Sequence, residues 1–406
     1  MRHLVVGIWA VMVAVSGCAN QHEKNKQAAL QRWNKARVEI MVDMARGQFE
    51  GGELKKAAGT CQNAISTNPQ YVPGHLLLGR IYLEQDLPVK AQESFTRCLE
   101  IEPGHAEANF YLGIIQERWN KLTEAQQYYQ QAWESKSDKS KYLLALVETK
   151  MTLGEPQEAL ALLRGNRDKV ERDATIWVTE GNILTSLGRY EEAVGAFQEA
   201  SSKSPDNDSI KEMLAFSLHR ANRCPEALEL FERLSGQKQS ALGGVSWVIY
   251  LAMGDCYMKL EQYLPAQHCF EKVSECDKNN PVIWTRLAQV LLARGELTRA
   301  KSCAQKACSL KEDNTDALLV LGYVAMQEQK YQEGAQIYTR IISIDDKEVL
   351  AYGLLGQCLQ ACGQEEQAQM CFEQALKIDP SDRLARRLRQ SGGGTEIGIR
   401  EGSKSF

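Results

Sequence analysis

Cysteine and histidine are the residue types in this chain with the widest chemical reach. There are twelve cysteines and six histidines among 406 residues. Thiolates and imidazoles bind metals, act as nucleophiles and move protons. The histidines are His3, His22, His75, His105, His219 and His268, and none lies in an HExxH zinc motif. No two cysteines have CxxC spacing, so a metal site is not expected. No phosphate-binding GxxxxGK[ST] or GxGxxG follows a strand, and Gly392-Gly393-Gly394 belongs to a Gly- and Ser-rich tail. No catalytic constellation stands out in the sequence, so the expectation is a protein that is not an enzyme and carries no cofactor. One cysteine spacing does recur. Cys256 and Cys269 lie thirteen residues apart, and so do Cys358 and Cys371.

The elements that would position these residues are helices. The composition is ordinary, the net charge is −4, and alternating β-branched runs are missing. That balance gives no support for nucleic-acid binding, which needs a clustered basic surface. The organising feature is a 34-residue period in which Pro69, Pro103, Pro205 and Pro380 share position 32. Repeats start at residues 38, 72, 106, 140, 174 and 208, and restart at 247, 281, 315 and 349 after an insertion at 242–246.

Position 20 is Ala or Gly in all ten repeats, from Ala57 to Ala368. Position 8 is Gly, Ala or Val throughout. Small residues at both positions let two helices approach closely. Position 24 is aromatic in seven repeats, including Phe95, Tyr129, Phe270 and Phe372. These rings are expected to fill the space that the small residues leave between neighbouring hairpins. Position 7 is Leu or Met except at Glu180. Position 15 is Gly, Asn or Asp in eight repeats, the residues that tolerate the left-handed end of a helix. All ten prolines avoid helix interiors. Each repeat is therefore expected to be helix A, a tight turn and helix B. In such a hairpin, positions 10 and 23 lie at similar heights. Cys256/Cys269 and Cys358/Cys371 occupy those positions of repeats seven and ten. Two readings stay open: disulfides stapling helix A to helix B in an oxidising compartment, or small buried apolar residues.

With Leu78-Gly79-Arg80-Ile81-Tyr82, Ala91, Phe95 and Pro103 at its key positions, the chain resembles the tetratricopeptide repeat family. The resemblance implies an all-α, right-handed superhelical solenoid of about ten helix-turn-helix repeats, with the A helices lining a concave face. It also implies that a protein partner binds at positions 2, 5, 9, 12 and 13 of the A helices. In the first six repeats those positions carry Arg46, Arg80, Glu84, Phe110, Glu117, Arg118, Lys141 and Glu148. In the last four they carry Leu251, Met258, Leu292, Leu319, Tyr323 and Met326, expected to form an apolar track for an extended or helical segment. Partial cover of that track by neighbouring turns is the other reading. The Lys and Asn clamp by which chaperone-binding members hold a terminal carboxylate is missing: position 5 is never Lys, and Asn182 at position 9 is paired with Val178.

The N-terminus is of another kind. Leu4 to Val15 is an unbroken apolar run after a short basic start, too short for a permanent bilayer span. Val15-Ser16-Gly17-Cys18 resembles the lipobox of bacterial lipoproteins, which implies acylation of Cys18 and a location at the membrane. Ala19 after it, by the same family's sorting pattern, implies the periplasmic face of the outer membrane. An ordinary secretory signal, or a mistaken start codon upstream of a cytosolic protein, are the alternatives.

The domain reading is a leader at 1–17, an anchor and helical extension at 18–37, repeats one to six at 38–241, the insertion at 242–246, repeats seven to ten at 247–382, a capping helix at 383–390 and a tail at 391–406. The Gly243-Gly244 insertion is expected to be a hinge. The functional expectation is a membrane-anchored scaffold or adaptor for proteins in cell-envelope assembly or secretion. A non-catalytic subunit presenting substrates to an envelope enzyme, or a soluble cytosolic scaffold, are the other readings.

Overall fold

In a computed structural model of the chain, residues 25–26, 29–30, 32–170, 173–238, 247–381 and 386 are described. The leader, Cys18, the 242–246 insertion, the tail and all of the proposed capping helix but Arg386 lie outside them. The described residues are helical and contain no strand.

Two compact units divide the chain between Ser204 and Pro205. The first contains α1 (residues 32–50), α2 (Leu54–Thr67), α3 (Val72–Glu84), α4 (Pro88–Ile101), α5 (Ala106–Arg118), α6 (Leu122–Ser135), α7 (Ser140–Thr152), α8 (Pro156–Val170), α9 (Ala174–Ser186) and α10 (Tyr190–Lys203). The second contains α11 (Asp208–Arg220), α12 (Cys224–Lys238), α13 (Trp247–Lys259), α14 (Tyr263–Cys276), α15 (Pro281–Ala293), α16 (Leu297–Leu310), α17 (Thr315–Gln327), α18 (Tyr331–Ile344), α19 (Val349–Ala361) and α20 (Glu365–Ile378). Within each unit, consecutive helices pack on one another, so each unit is a run of five hairpins. The unit boundary falls between repeats five and six, whereas the break in repeat register falls after repeat six.

The turn inside each hairpin shows why the period holds. Position 15 has positive φ in all ten repeats. In repeat one, Gly52 adopts φ 77° and the Glu53 amide donates to the Gln48 carbonyl at 2.8 Å, closing the last turn of α1. The same six-residue closure recurs at Leu87 to Tyr82 and Gln262 to Tyr257. Glu261 and Gln329 adopt this conformation with φ 58° although their side chains disfavour it. Replacing either by glycine is expected to stabilise its unit by about 1 kcal/mol, relieved Cβ crowding outweighing glycine's extra chain entropy. Urea unfolding checks this. A loss of stability would mean the side chains make contacts that outweigh the strain.

Several A helices start on a side-chain cap. Asp173, Asn207, Asn280 and Asn314 accept from the amides of the first turn that follows.

The core runs along positions 8, 20 and 24. The position-20 residues from Ala57 to Ala368 and the rings Phe95, Tyr129, Phe197, Phe231, Phe270, Tyr338 and Phe372 are buried. The rings reach neighbouring hairpins in part, as expected above: Phe95 of repeat two stacks on Tyr111 of repeat three at 5.0 Å. The six rings that face a glycine also lie against that position-8 residue of their own hairpin. A Cβ added at Gly79 would sit 2.5 Å from Phe95 Cε1, at Gly113 2.4 Å from Tyr129 Cε1, and at Gly254 2.4 Å from Phe270 Cε1. Glycine is required there by the ring across from it.

Repeat five replaces the usual apolar position 7 with Glu180, whose side chain is 3% exposed. Two arginines of α8 hold it: Arg164 Nε donates to Oε1 at 2.7 Å and Arg167 to Oε2 at 3.2 Å. Arg164 also reaches Glu192, and Arg167 stacks over Trp177 at 4.4 Å. This charged joint seats repeat five on repeat four, whose Val147 and Leu163 depart from the usual glycine and ring.

Candidate functional site

The partner-binding positions of the first unit converge on Phe110. This half-buried ring, at position 5 of repeat three, packs on Tyr111 and Tyr129 (both 5.7 Å between centroids) and on Tyr142 at 5.3 Å. Lys141 places its ammonium over both Phe110 and Tyr142, at 5.2 and 5.0 Å. A cation over a ring face is held by the ring's quadrupole. Arg80 lies over the Phe49 ring at 5.5 Å. Arg118 is exposed, and Arg46 is exposed and paired with Asp43 at 2.9 Å.

Two carboxylates complete this surface. Glu117 accepts from the Tyr129 hydroxyl at 2.7 Å, and burial pushes that phenol's pKa up, with the Glu117 bond adding to it. Glu148 is held above the usual carboxylate range, first by desolvation and then by the charge of Glu117. The two acids therefore repel across the A-helix face. A raised pKa means the folded state binds the proton more tightly than the unfolded chain. Stability contributed by Glu148 accordingly falls as pH rises from the normal carboxylate range through its folded pKa. Glu148→Gln is expected to stabilise the unit at neutral pH, with the gain vanishing as pH drops below the normal range. Paired urea titrations across that window test it; a gain independent of pH would remove the charge explanation.

The second unit corrects the apolar track. Leu292, Leu319 and Tyr323 are buried, at 7, 6 and 8% exposure. Leu292 and Tyr323 belong to the core of repeats seven to nine, with Leu251 and Met258 packed against it. Leu319 belongs to the next core cluster, against which Met326 packs, its thioether taking the Tyr338 hydroxyl at 3.5 Å. The hairpins cover most of the surface that was expected to be open, because these side chains lean into the neighbouring A helices.

Beside this core lies a partly buried polar group. Asp255 at position 9 of repeat seven lies 3.1 Å from Arg286 Nε, an ion pair whose N–H is not aligned for a hydrogen bond. Arg286 donates to Gln289 at 3.0 Å. His219 at position 12 of repeat six belongs to this group. Burial lowers its pKa and outweighs the attraction of Asp255. Asp255 and His219 stand at positions 9 and 12, groove positions of the repeat that interrupt the apolar continuity of the track.

The paired cysteines are free thiols. Position 10 does not face position 23 of its own hairpin. The Cys256 thiol hydrogen-bonds Cys224 on α12, and Cys358 Sγ lies 3.0 Å from where a Cβ on Gly334 of α18 would be. Both therefore point at the preceding B helix. Burial raises the pKa of Cys269 to about 11 and of Cys358 to about 12, which keeps both protonated and unreactive near neutral pH. Of their partners, Cys371 lines a shallow outer groove with Leu355, Leu359 and Met370. Among the described residues no cluster of three His, Cys, Asp or Glu could hold a metal ion, and no helix is long and apolar enough to cross a membrane.

Comparison with known proteins places these features in a family. Superkiller complex protein 3 of Mus musculus is 23% identical over 315 residues, 76% of this chain and 18% of that protein. Mitochondrial import receptor subunit TOM70 of Homo sapiens is 29% identical over 140 residues, 32% of this chain and 23% of that protein. The chain thus spans less than a quarter of either relative. Among solved structures, the APC/C hetero-tetramer Cut9-Hcn1 superposes with a TM-score of 0.47 at 11% identity, covering 88% of this chain and 96% of that one. Family models match a tetratricopeptide repeat at residues 72–105 and the middle TPR-like domain of cilia and flagella-associated protein 70 at 250–377. A further tetratricopeptide repeat model matches residues 89–313, more than half of the chain, and the chain belongs to the tetratricopeptide repeat family.

Proposed function

We propose that this chain is a non-catalytic, membrane-anchored scaffold that holds a protein partner on the A-helix face of repeats two to four. The carrying observation is the half-buried Phe110, ringed by tyrosines and crossed by Lys141, beside the Glu117 and Glu148 carboxylates. Such a surface suits a segment with an apolar or aromatic residue to lie on Phe110 and a cation to face the two acids. That cation would offset the Glu117 repulsion that adds to desolvation in holding the Glu148 pKa up. The family supports the scaffold reading, and TOM70 and superkiller complex protein 3 are by name subunits of larger assemblies. The lipobox-like Val15 to Cys18 supports an anchor in a bacterial envelope, and with it a role in envelope assembly or secretion.

A photoreactive amino acid at position 110 tests the surface in cells. A discrete adduct is expected there and not at Val89, which is 59% exposed on α4. Charge reversal at Glu117 and Glu148 is expected to abolish it. Adducts of equal yield at 110 and 89 would overturn the assignment. Metabolic labelling with a radioactive fatty acid tests the anchor separately: label lost in Cys18→Ser supports it, and an unlabelled protein in the cytosolic fraction ends it.

A further inference from the structure

α1 has two apolar faces, and the stack uses one of them. Val38, Val42 and Ala45 are at most 1% exposed, with Met41 and Phe49 packed against the same core. On the other side, Trp33, Ile40 and Met44 are 57, 69 and 52% exposed, and Leu30, helical just before α1, is 57% exposed. Their spacing, together with Lys26 and Arg37, repeats every three or four residues and marks a single helix face. Arg37 lies over the Trp33 ring at 5.3 Å.

Ile40 and Met44 occupy positions 3 and 7 of repeat one. In repeat two these positions are Gly74 and Leu78, and in repeat seven Ile249 and Met253, all buried. There the preceding B helix covers them. Repeat one has no described helix before it. An uncovered stacking face alone would not say what lies on it. The charge does. Residues 25–37 carry Lys26, Arg32, Lys35 and Arg37 and no carboxylate, in a chain whose net charge is −4. On an ideal helix Glu39 and Asp43 fall away from the stripe that holds Lys26 and Arg37. A helix covering this face would need carboxylates of its own to pair the two cations. An anionic lipid surface accepts both halves: the Trp, Leu, Ile and Met side chains enter the headgroup boundary and the cations meet lipid phosphates.

We infer that this face of α1 docks on an anionic membrane surface and orients the first unit there. The inference rests on the anchored reading for bringing α1 to a bilayer, since Leu30 lies twelve residues after Cys18. The lipid anchor would bring the chain to the bilayer, and this face would add the electrostatic contact that sets its orientation.

The test uses the full chain carrying Cys18→Ser, so that no acyl group contributes. Co-flotation is measured with vesicles of phosphatidylcholine alone and of phosphatidylcholine and phosphatidylglycerol in equal parts. Binding is expected for the second composition. Trp33→Glu with Ile40→Glu should weaken it about a hundredfold. Lys26→Glu with Arg37→Glu should remove the preference for the anionic vesicles, and Val89→Glu should change nothing. Circular dichroism and gel filtration confirm that each variant is folded. Vesicle binding unchanged by the face variants would mean that residues 4–15 carry it and would overturn the inference. So would a dimer by light scattering that the face variants convert to a monomer, which would assign the face to a second copy. Absence of fatty-acid label at Cys18 with face-dependent vesicle binding would remove the anchor and leave this surface standing.

Discussion

Replacing Arg164 and Arg167 together by alanine destabilises the first unit by about 3 kcal/mol, the lower end of what breaking a buried ion pair costs. The lower end applies because the two arginine side chains are 37 and 33% exposed, so water already screens them in part. Glu180 is not screened; at 3% exposure its carboxylate would be left buried without a partner. The reverse change has a different sign. Glu180→Leu installs the residue type found at position 7 of most other repeats and removes the buried charge. The freed guanidinium groups keep partners, Arg164 with Glu192 and Arg167 over Trp177. That variant is expected within about 1 kcal/mol of the parent. The triple variant should then recover most of what the double arginine variant loses. Urea unfolding gives the energies, and hydrogen exchange in α9 shows whether the loss is local. If Glu180→Leu costs as much as the double arginine change, the carboxylate is needed for its own contacts and the asymmetry argument fails.

The Glu180 joint also shows what periodicity reveals and what it hides. The exception at position 7 is visible in the sequence, but its partners are not. Arg164 and Arg167 lie one helix earlier, and their meeting depends on the stagger of α8 against α9. Positions 8, 15, 20 and 24 were legible because each is set by backbone geometry repeated ten times. The positive φ at residue 15 favours Gly, Asn or Asp, and where Glu261 or Gln329 stands the turn forms with the same positive φ. Surface residues obey no such repeated constraint. Positions 2, 5, 9, 12 and 13 lie on the A helices, yet side-chain reach decides which are open. Leu292 and Tyr323 fold into the core, whereas Phe110 stays half-buried because Tyr111, Tyr129 and Tyr142 already fill the space around it. The cysteine pairs failed for a related reason. Height along a hairpin is a one-dimensional argument, and facing requires the angle around the helix, which turns position 10 toward the preceding repeat.

The strongest constraint in the fold predicts its own rescue. Six repeats pair glycine at position 8 with a ring at position 24, and where the ring is absent position 8 is larger: Ala45 with Cys61, Val147 with Leu163 and Ala288 with Ala304. Gly254→Val places a branched side chain where even a Cβ would lie 2.4 Å from Phe270 Cε1. The expected cost is about 3 kcal/mol, since the ring is fully buried and can move only by disturbing α14. Gly254→Ala is milder. Ala215 stands opposite Phe231 in repeat six, so one methyl can be accommodated by a small shift between helices. The gain in helix propensity over glycine, about 1 kcal/mol, offsets part of that shift. Phe270→Leu alone costs up to about 1.5 kcal/mol from the space it leaves. Combined with Gly254→Val, it recreates the Val147 and Leu163 pair, both fully buried in repeat four. The double variant is therefore expected to be more stable than Gly254→Val alone, with a favourable coupling of about 2 kcal/mol in the double-mutant cycle. Additive costs would mean that helix α13 yields to the valine by moving as a body, and that spacing between hairpins, rather than fit within one, sets the choice of residue at position 8.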